Sequence, residues 1–490
     1  MSCSQISTSR ENCFMHSESS SNQTQLTISQ EIASFAARLS FDDLPLGVVE
    51  QAKLLVLDAI GIAFASTTYD FAEKAISAIS SLGEPGNYPL IGTGGKFSIR
   101  DTALLTGVLV HGLDYDDTHI ESVCHTSSSA LPTALLMASR NRLSCRDFLV
   151  GFVLATEVAA RIGMAAEGAF HEVGFHPTGI ANAFGSATAA ARLEGGSVVE
   201  ITRSQGVVGS LAGGLMQFAE DGSWTKRLHP GQAAANGITA AMFGVRGWPS
   251  PEEVYEGQFG LFRTHLQQHE SNLAKCTGGL GDIWELSNCA LKPYPVCHFI
   301  HAFADAALAL VDTHQIVVSD IERINAYIHP TEGSVVSYPE DRKQEPVSEY
   351  EAKFSLPFVV ACTIVQRRFG LAELREELFR DPAVIRLAHR VRSFDDEKSD
   401  FPSHYPARLE IQLKDGKTFT HNETINRGAS DRPLSVDDIC EKYQANMGLA
   451  VSGAIAEQIQ GAVLGLERIP DVLTLQSLLC DIPAGQAKGG

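Results

Sequence analysis

The sequence predicts a mainly α-helical protein in which a large all-helical domain contains a smaller, inserted α+β domain. Apolar residues recur at helical spacing from Ile28 to about Gly247, and segments that alternate apolar and polar residues follow after about Leu286. The helical pattern returns from about Leu434 onward. Because 490 residues are enough for more than one core, the order helical, mixed, helical indicates one domain inserted into another.

The domain boundaries follow these changes of pattern. We place the helical domain at residues 28–285 and 431–490, and the inserted α+β domain at residues 286–430. Residues 1–27 are polar, with no apolar stretch and one arginine. We expect them to form a disordered polar leader, since they have the features of neither a secretory signal nor a mitochondrial presequence.

The first helices are predicted from spacing and composition. "EIASFAARL" and "VVEQAKLLVLDAIGIAFAS" place their apolar residues on one helical face, and further helices are expected from about Thr102 to His111 and from Pro177 onward. Alanine and glycine are dense in "GSATAAARLEGG" and "GQAAANGITAAMFG". Small side chains let helices approach closely, which predicts a compact bundle with several helices buried on all sides.

Two segments of this part need separate interpretation. "FLVGFVLATEVAARIGMAA" is strongly apolar, but Glu157 and Arg161 interrupt it. Its uninterrupted part is too short to span a bilayer, so it is expected to be a buried helix. In "GWPSPEE", the residues from Ser250 to Glu253 supply a cap, a proline and two acids, which predicts the start of another helix.

The middle and last parts combine strands with helices. "IERINAYIHP" and "ARLEIQLKDGKTFTHNET" alternate as strands do, the second with a Lys-Asp-Gly turn. "HAFADAALALVDTH" and "EAKFSLPFVVACTIVQRR" are predicted helices between them. A final helical part begins at "LSVDDICEKYQANM", where Ser435 and Asp438 have the spacing of a capping box.

Charge and cysteine usage exclude several classes of protein. The net charge of −20 argues against nucleic acid or an anionic membrane as a partner. An anionic substrate would be repelled at long range, so a few local cations would have to hold it. The ten cysteines include no pair at CxxC spacing, which argues against zinc ribbons and iron–sulfur clusters and indicates reduced thiols in a cytoplasmic protein.

The stretch "HGLDYDDTHIESVCH" is the densest group of polar residues. It fails as an EF-hand, because His119 and His125 stand where a glycine and a bidentate glutamate are needed. A hard-metal site of Asp116, Asp117 and His119 is one interpretation. Another is a loop whose aspartates cap the next helix.

The functional interpretation is that the same loop presents Asp114, Thr118 and His125 to a pocket. It would do so from the C-terminal end of the helix that ends near His111. No feature of the stretch by itself decides between the three interpretations.

Three other clusters combine cationic residues and histidines. His176 precedes the helix that starts at Pro177, Lys226 lies in "EDGSWTKRLHPGQ", and Lys292 and His301 lie in "ALKPYPVCHFIHAFADAA". Each alone is compatible with capping, packing or a solvated loop, and the cysteine of the last motif could serve as a nucleophile. Together they suit an anionic small molecule that is bound by cations and acted on by imidazole acid–base chemistry.

The sequence resembles the MmgE/PrpD family over nearly its whole length, from about Ile28 to Leu479. The resemblance rests on six blocks in the family's order, "LDYDDTHIESVCH", "FHPTGIANAFGSATAAARL", "DGSWTKRLHPGQAAANGITAAMFG", "YEGQFGLF", "LKPYPVCHFIHAFADAAL" and "EAKFSLPFVVA". It implies an MmgE/PrpD-like fold in which the α+β domain is a lid on the helical domain. It also implies a homodimer without a cofactor.

The resemblance also implies the residues of the site. Those expected to line a pocket between the domains are Asp114, Thr118, His125, His176, Lys226 and Lys292, and His301 matches a histidine of the family's "KPYP…H" block. A histidine that the animal decarboxylases of the family carry aligns with Cys297. Lys226 and Lys292 would bind substrate carboxylates, and His125 and His176 would share acid and base roles, with Asp114 and Thr118 as orienting groups.

The expected function is therefore that of a lyase acting on a citrate- or aconitate-like polycarboxylate, without a cofactor. Dehydration of a 2-alkylcitrate and decarboxylation of a cis-aconitate-type acid both fit. Epimerisation of an amino- or imino-dicarboxylate at the same site is the alternative. A metal-dependent hydrolase that uses the Asp/His loop, and a silent polycarboxylate-binding protein, are the more distant hypotheses.

Overall fold

The first part of the described chain is almost entirely helical. The computed structural model describes residues 26–480, so nearly all of the predicted leader, and residues 481–490, lie outside the described residues. The helices are α1 (Ile28–Arg38), α2 (Leu46–Ser66), α3 (Asp70–Ser80), α4 (Ile99–His111), α5 (Ser127–Arg140), α6 (Cys145–Ala165), α7 (Ala169–Glu172), α8 (Pro177–Leu193), α9 (Val198–Val208), α10 (Phe218–Asp221), α11 (Thr225–Val245) and α12 (Leu261–His265).

The middle part adds a small sheet. The helices are α13 (His301–Thr313), α14 (Pro330–Val336), α15 (Glu340–Gln344), α16 (Glu349–Ala352), α17 (Leu356–Gln366), α18 (Glu376–Phe379) and α19 (Pro382–Ala388). Three strands of two residues lie in the first part, namely β1 (Tyr88–Pro89), β2 (Lys96–Phe97) and β3 (Thr118–His119). The strands of the middle part are β4 (Cys289–Ala290), β5 (Ile321–Ile328), β6 (Val391–Asp395), β7 (Ala407–Leu413) and β8 (Thr418–Glu423). The last four form one sheet in the order β6-β5-β7-β8, in which only the β5–β6 pair is parallel.

Two hydrophobic clusters organise these elements. The first runs from Ile32 to Leu291 and takes in the last helices, α20 (Val436–Ala450), α21 (Gly453–Leu464) and α22 (Val472–Cys480). The second consists mainly of residues 290–411. The protein is mainly α-helical, as predicted, and its small sheet lies where strands were expected. The domain boundaries and the lid arrangement stay predictions.

Glycines allow the helices that carry the site to cross closely. A Cβ on Gly107 of α4 would lie 2.4 Å from the Cα of Gly231 on α11, and a Cβ on Gly231 would lie 2.1 Å from the carbonyl oxygen of Leu104. Neither position has room for a larger residue. This contact sets the C-terminal end of α4 beside the N-terminal turn of α11, which carries Lys226.

Helix α6 is a core helix. Of the described helices it is the one with the length and composition of a membrane span, and it is wholly buried inside the protein. Its two charged residues are satisfied internally: Arg161 donates to the carbonyl oxygens of Gly278 (2.6 Å) and Ile283 (2.7 Å), and Glu157 accepts from the backbone N–H of Leu286 (2.7 Å).

Two local predictions were wrong. No helix begins at Ser250, because its hydroxyl donates to the carbonyl oxygen of Arg203 (2.8 Å) and the carbonyl oxygen of Glu252 accepts from the Ser29 hydroxyl. The segment instead packs as irregular chain against α1 and α9. The single helix expected in "EAKFSLPFVVACTIVQRR" is divided into α16 and α17, with Ser355 as the N-cap of α17.

Candidate active site

The loop that follows α4 is held by buried cations from four distant parts of the chain. Four consecutive carbonyl oxygens each accept a hydrogen bond from a different cationic side chain. The pairs are Gly112 with Arg227 (2.7 Å), Leu113 with Lys353 (2.6 Å), Asp114 with Lys292 (3.0 Å) and Tyr115 with Lys442 (2.8 Å). The loop is thereby fixed without regular secondary structure.

Asp114 is the centre of a buried ion triad. Its Oδ1 accepts from the Nζ atoms of Lys226 and Lys292, both at 2.9 Å, and its backbone lies in the left-handed region with φ 51°. Burial alone would raise the pKa of Asp114, but the two ammonium groups hold this pKa well below its ordinary value. The carboxylate is therefore ionised at neutral pH, and its buried Oδ2 has no hydrogen-bond partner among the described residues.

His125 is fixed as a neutral imidazole. Its Nδ1 lies 2.9 Å from the carbonyl oxygen of Asp117 and 3.2 Å from the Thr118 hydroxyl. Since a carbonyl can only accept, Nδ1 carries the proton and Nε2 has the free lone pair. Burial, followed by repulsion from Lys292 and Lys226, holds the pKa of His125 well below its ordinary value.

His176 is the N-cap residue of α8, as expected from the proline that follows it. Its Nδ1 lies 3.1 Å from Nδ1 of His229 on α11, so one of the two rings donates to the other. Burial and repulsion from His229 and Lys226 lower the pKa of His176 well below its ordinary value, and burial lowers the pKa of His229 to about 4. Both rings are neutral at pH 7.

His111, at the end of α4, joins these imidazoles. Its Nδ1 lies 2.8 Å and 3.0 Å from the two oxygens of Asp116, and its buried Nε2 has no partner among the described residues. Ring nitrogens of His111, His125 and His176 lie within 4.8 Å of one another, close enough to bind one metal ion. Lys226 and Lys292 oppose the binding of a divalent cation there, whereas the buried carboxylates of Asp114 and Asp116 favour it.

The metal triad considered from the sequence does not come together. Asp117 caps α5, accepting from the backbone N–H of Ser127 (3.1 Å), and Asp116 is engaged by His111. His119 faces Glu285, with 3.3 Å between Nε2 and Oε2. The capping interpretation therefore describes Asp117.

Six of the seven residues expected at the site line one cavity, whose free volume of about 40 Å³ has room for a few water molecules. They are Asp114, Thr118, His125, His176, Lys226 and Lys292. His301 is not in the lining: it is fully buried, donates from Nε2 to the carbonyl oxygen of Val296 (3.1 Å) and packs against His298, with 4.5 Å between ring centres. The roles of all seven stay predictions.

The rest of the wall comes mainly from the second hydrophobic cluster. Apolar side chains form one side of the cavity, namely Val123, Met216, Phe218, Phe299, Val335 and Phe354. Cys297 and His298 complete the wall beside Lys292. Burial and the charge of Asp114 raise the pKa of Cys297 to about 11, so this thiol is protonated at neutral pH and is a poor nucleophile.

Sequence reasoning missed four contributors: His111, His298, Lys353 and Lys442. Three of them lie in sequence motifs that pointed to the site. His111 and His298 lie inside motifs that were singled out, and Lys353 lies in the block "EAKFSLPFVVA". Lys442 had no such signal, since a lysine in an amphipathic helix is ordinarily solvated.

The fold and the site define a mainly helical protein with lysines and imidazoles around one buried carboxylate. The chain matches the MmgE/PrpD N-terminal domain over residues 30–274 and the MmgE/PrpD C-terminal domain over residues 294–468. The chain belongs to this family.

The curated relatives are similar over almost their whole length. A cis-aconitate decarboxylase of Aspergillus terreus is 26% identical over 486 residues, which is 95% of this chain and 98% of the relative. The human cis-aconitate decarboxylase is 28% identical, covering 88% of this chain and 90% of the relative. The cis-aconitate decarboxylase-like protein oryM of Aspergillus oryzae is 24% identical, covering 92% and 97%.

Proposed function

We propose that the protein is a lyase that acts without a cofactor on a citrate- or aconitate-like polycarboxylate, and that it decarboxylates a cis-aconitate-type acid. The observation that carries this proposal is the buried triad of Lys226, Asp114 and Lys292 in the wall of a cavity that also contains neutral imidazoles. The names of the relatives favour decarboxylation.

The two lysines have different roles in this proposal. Lys292 uses two hydrogen bonds on Asp114 and is fully buried, so it chiefly positions the carboxylate and adds positive field. Lys226 makes one ion pair and lies 4.9 Å from the centre of the Phe354 ring. Its remaining N–H groups contact a substrate carboxylate, and the positive field stabilises the carbanion that forms when CO2 leaves.

His125 supplies the proton that completes decarboxylation. The C–C bond to the departing carboxylate breaks, its electron pair stays on carbon, and a proton must be added there. A substrate with several carboxylates raises the pKa of His125, so the ring takes up a proton at Nε2 when substrate binds. The proton then passes to the carbanion, and the ring returns to its neutral form.

Residues 286–430 act as a lid in this mechanism. They supply Lys292, His298 and Phe354 to the wall, while Asp114 and Lys226 belong to the helical part. Closure over the helical part excludes water and strengthens the interaction of both lysines with the substrate.

The apolar side of the cavity favours a second candidate, dehydration of a 2-alkylcitrate. Phe218, Phe299 and Phe354 offer an alkyl substituent a surface that an unsubstituted acid does not need. In this reaction Nε2 of His125 removes the proton next to a carboxylate. His176 takes up a proton when the bound polycarboxylate raises its pKa, and it donates this proton to the departing hydroxide.

A substrate panel distinguishes these reactions. The purified protein is incubated in D2O with citrate, 2-methylcitrate, longer 2-alkylcitrates, cis-aconitate and iminodisuccinate, and proton NMR follows each mixture. Loss of CO2 with deuterium in the product indicates decarboxylation, loss of water with formation of an alkene indicates dehydration, and exchange without net loss indicates epimerisation. If no acid reacts, the lyase proposal is wrong.

Replacement of each lysine by methionine tests the division of roles. Lys226→Met is expected to raise KM by roughly 10- to 100-fold and also to lower kcat, because a charge-assisted contact is lost. Lys292→Met is expected to lower kcat chiefly, since Asp114 moves. Unchanged kinetics in both variants would contradict the proposal that these lysines bind substrate carboxylates.

Treatment with a chelator tests whether the activity of the protein requires a metal ion. We expect EDTA treatment followed by gel filtration to leave kcat unchanged, because Lys226 and Lys292 rather than a cation supply the positive charge. Loss of activity that Zn²⁺ restores would instead assign the three clustered imidazoles to a metal and contradict the cofactor-independent mechanism.

We also propose that the protein is a cytoplasmic homodimer, as its family resemblance and its cysteine usage imply. Large apolar side chains at the surface, such as Trp248 and Phe259, are available to an interface. Sedimentation equilibrium gives the mass directly, and a monomer at micromolar concentration would contradict this proposal.

A further inference from the structure

His298 is a histidine of the cavity wall that the proposed mechanism does not use. It opens the short turn His298–Ile300 that leads into α13, and it is 3% exposed. The backbone of the preceding residue is held in place, because the N–H of Cys297 donates to the carbonyl oxygen of Lys353 (2.9 Å). The ring packs between His301, at 4.5 Å between ring centres, and Tyr405, at 5.2 Å.

The tautomer of His298 is determined by its neighbours. The backbone N–H of Tyr405 donates to Oδ1 of Asn426 (3.0 Å), which fixes the orientation of the amide. Nδ2 of Asn426 therefore points at Nε2 of His298, at 3.0 Å. An amide NH2 can only donate, so Nε2 accepts and the proton of the ring is on Nδ1.

The Nδ1–H group of His298 is left without a partner. It is buried, and no described residue accepts a hydrogen bond from it. A buried donor in this state is unfavourable unless a ligand completes it. Burial, with repulsion from His301, Lys292 and His125 that outweighs attraction by Asp114, holds the pKa of His298 well below its ordinary value, so the ring stays neutral.

We propose that His298 is a substrate-binding residue whose Nδ1–H donates to a carboxylate of the bound polycarboxylate, and that Asn426 is the positioning residue that keeps the proton on Nδ1. The inference rests on the proposed function in one respect, namely that the ligand carries carboxylates. The Nδ1–H group of His298 would be an uncharged donor to the substrate, in addition to the charged donors Lys226 and Lys292. A neutral donor selects for the position of an oxygen atom without adding to the positive charge of the cavity.

Binding of an unreactive polycarboxylate tests the contact. The probe is tricarballylate, a saturated tricarboxylate, and its Kd is measured by isothermal calorimetry with the full chain. His298→Phe keeps a planar ring and is expected to raise Kd by roughly 10-fold or more, since the donor is lost. His421→Phe, on β8 and outside the cavity lining, is the matched control and is expected to leave Kd unchanged.

The outcomes separate this inference from the proposed function. If the wild type binds tricarballylate and His298→Phe binds it equally well, the role of His298 is wrong while the proposed function stands. If the wild type binds no polycarboxylate, both are wrong.

A second variant tests the tautomer and keeps the ring. Asn426→Asp is nearly isosteric and still accepts from Tyr405, but its carboxylate accepts where the amide donates. The proton of His298 then moves to Nε2, and Nδ1 presents a lone pair to the ligand. We expect the Kd for tricarballylate to rise by roughly 10-fold, as in His298→Phe.

¹⁵N spectra of the histidine-labelled protein report the tautomer independently of binding, and the His298 signals are assigned by their absence in His298→Phe. The wild type is expected to show Nδ1–H, and Asn426→Asp to show Nε2–H. A wild-type ring protonated at Nε2, or a variant with unchanged spectrum and unchanged Kd, would overturn the inference.

Discussion

At the scale of single residues, one carboxylate decides the electrostatics of the candidate site. Asp114 is fully buried, and it is the counter-charge for both Lys226 and Lys292. Asp116 is also fully buried, and its hydrogen bond with His111 helps to outweigh burial, so that the pKa of Asp116 stays below its ordinary value. The lining of the cavity therefore has two ammonium groups and one carboxylate, an excess of one positive charge before an anionic ligand enters.

Asp114→Asn removes this counter-charge from two buried ammonium groups. We expect the free energy of unfolding to fall by about 3–5 kcal/mol and kcat/KM for the substrate to fall by at least roughly 100-fold. Urea unfolding and steady-state kinetics measure both. Asp70→Asn, at an exposed ion pair with Lys74, is the control and should change stability by less than about 0.5 kcal/mol. Equal effects of the two substitutions would contradict the role of Asp114.

At the scale of elements, the close crossing of α4 and α11 determines the position of the triad. Asp114 follows α4, and Lys226 lies in the first turn of α11, so a shift between these helices changes the distance between them. Gly107 and Gly231 make the approach possible. The small residues that the sequence shows in this region therefore serve the site as well as the core.

Gly231→Ala tests this dependence. The added methyl group would overlap the backbone of Leu104, and we expect a loss of stability of about 1–3 kcal/mol together with a lower kcat. Gly461→Ala, in α21 with nothing within 4 Å of its added Cβ, is expected to stabilise the protein by about 0.5–1 kcal/mol and leave kcat unchanged. Thermal unfolding and activity measured on the same samples compare the two variants.

At the scale of the whole molecule, buried neutral histidines link stability to pH. Burial lowers the pKa values of His125, His176, His298 and His301, so the unfolded chain binds protons that the folded protein does not below about pH 6.5. The stabilisation that these neutral histidines contribute is fully present above this pH. It is lost as the pH falls toward their pKa values in the folded protein. Asp117, whose pKa burial raises to about 6, acts in the opposite sense.

We therefore expect the free energy of unfolding to fall as the pH is lowered from 7 to 5. Each such histidine contributes a slope of up to about 1.4 kcal/mol per pH unit. His301→Leu should remove one such contribution, and urea titrations at pH 7, 6 and 5 measure the difference. The same slope in wild type and variant would mean that His301 takes up a proton in the folded protein.

The sequence by itself determined the elements and most of the site's residue types. Spacing placed α1, β5 and the β7–β8 hairpin, because local periodicity and turn residues specify them. It failed near Ser250, where contacts with α1 and α9 outweighed a local helix signal. The residues of the site were expected through motifs, since each motif lies within one short segment.

Only the tertiary structure decided how these residues are used. The pairing of Asp114 with two lysines, the tautomers of His125 and His298, and the support of the loop by Lys442 each join segments that are far apart in the chain. Protonation and hydrogen bonding depend on burial and on partners within about 3 Å. Neither is encoded in the local pattern, because both arise only when distant segments pack together.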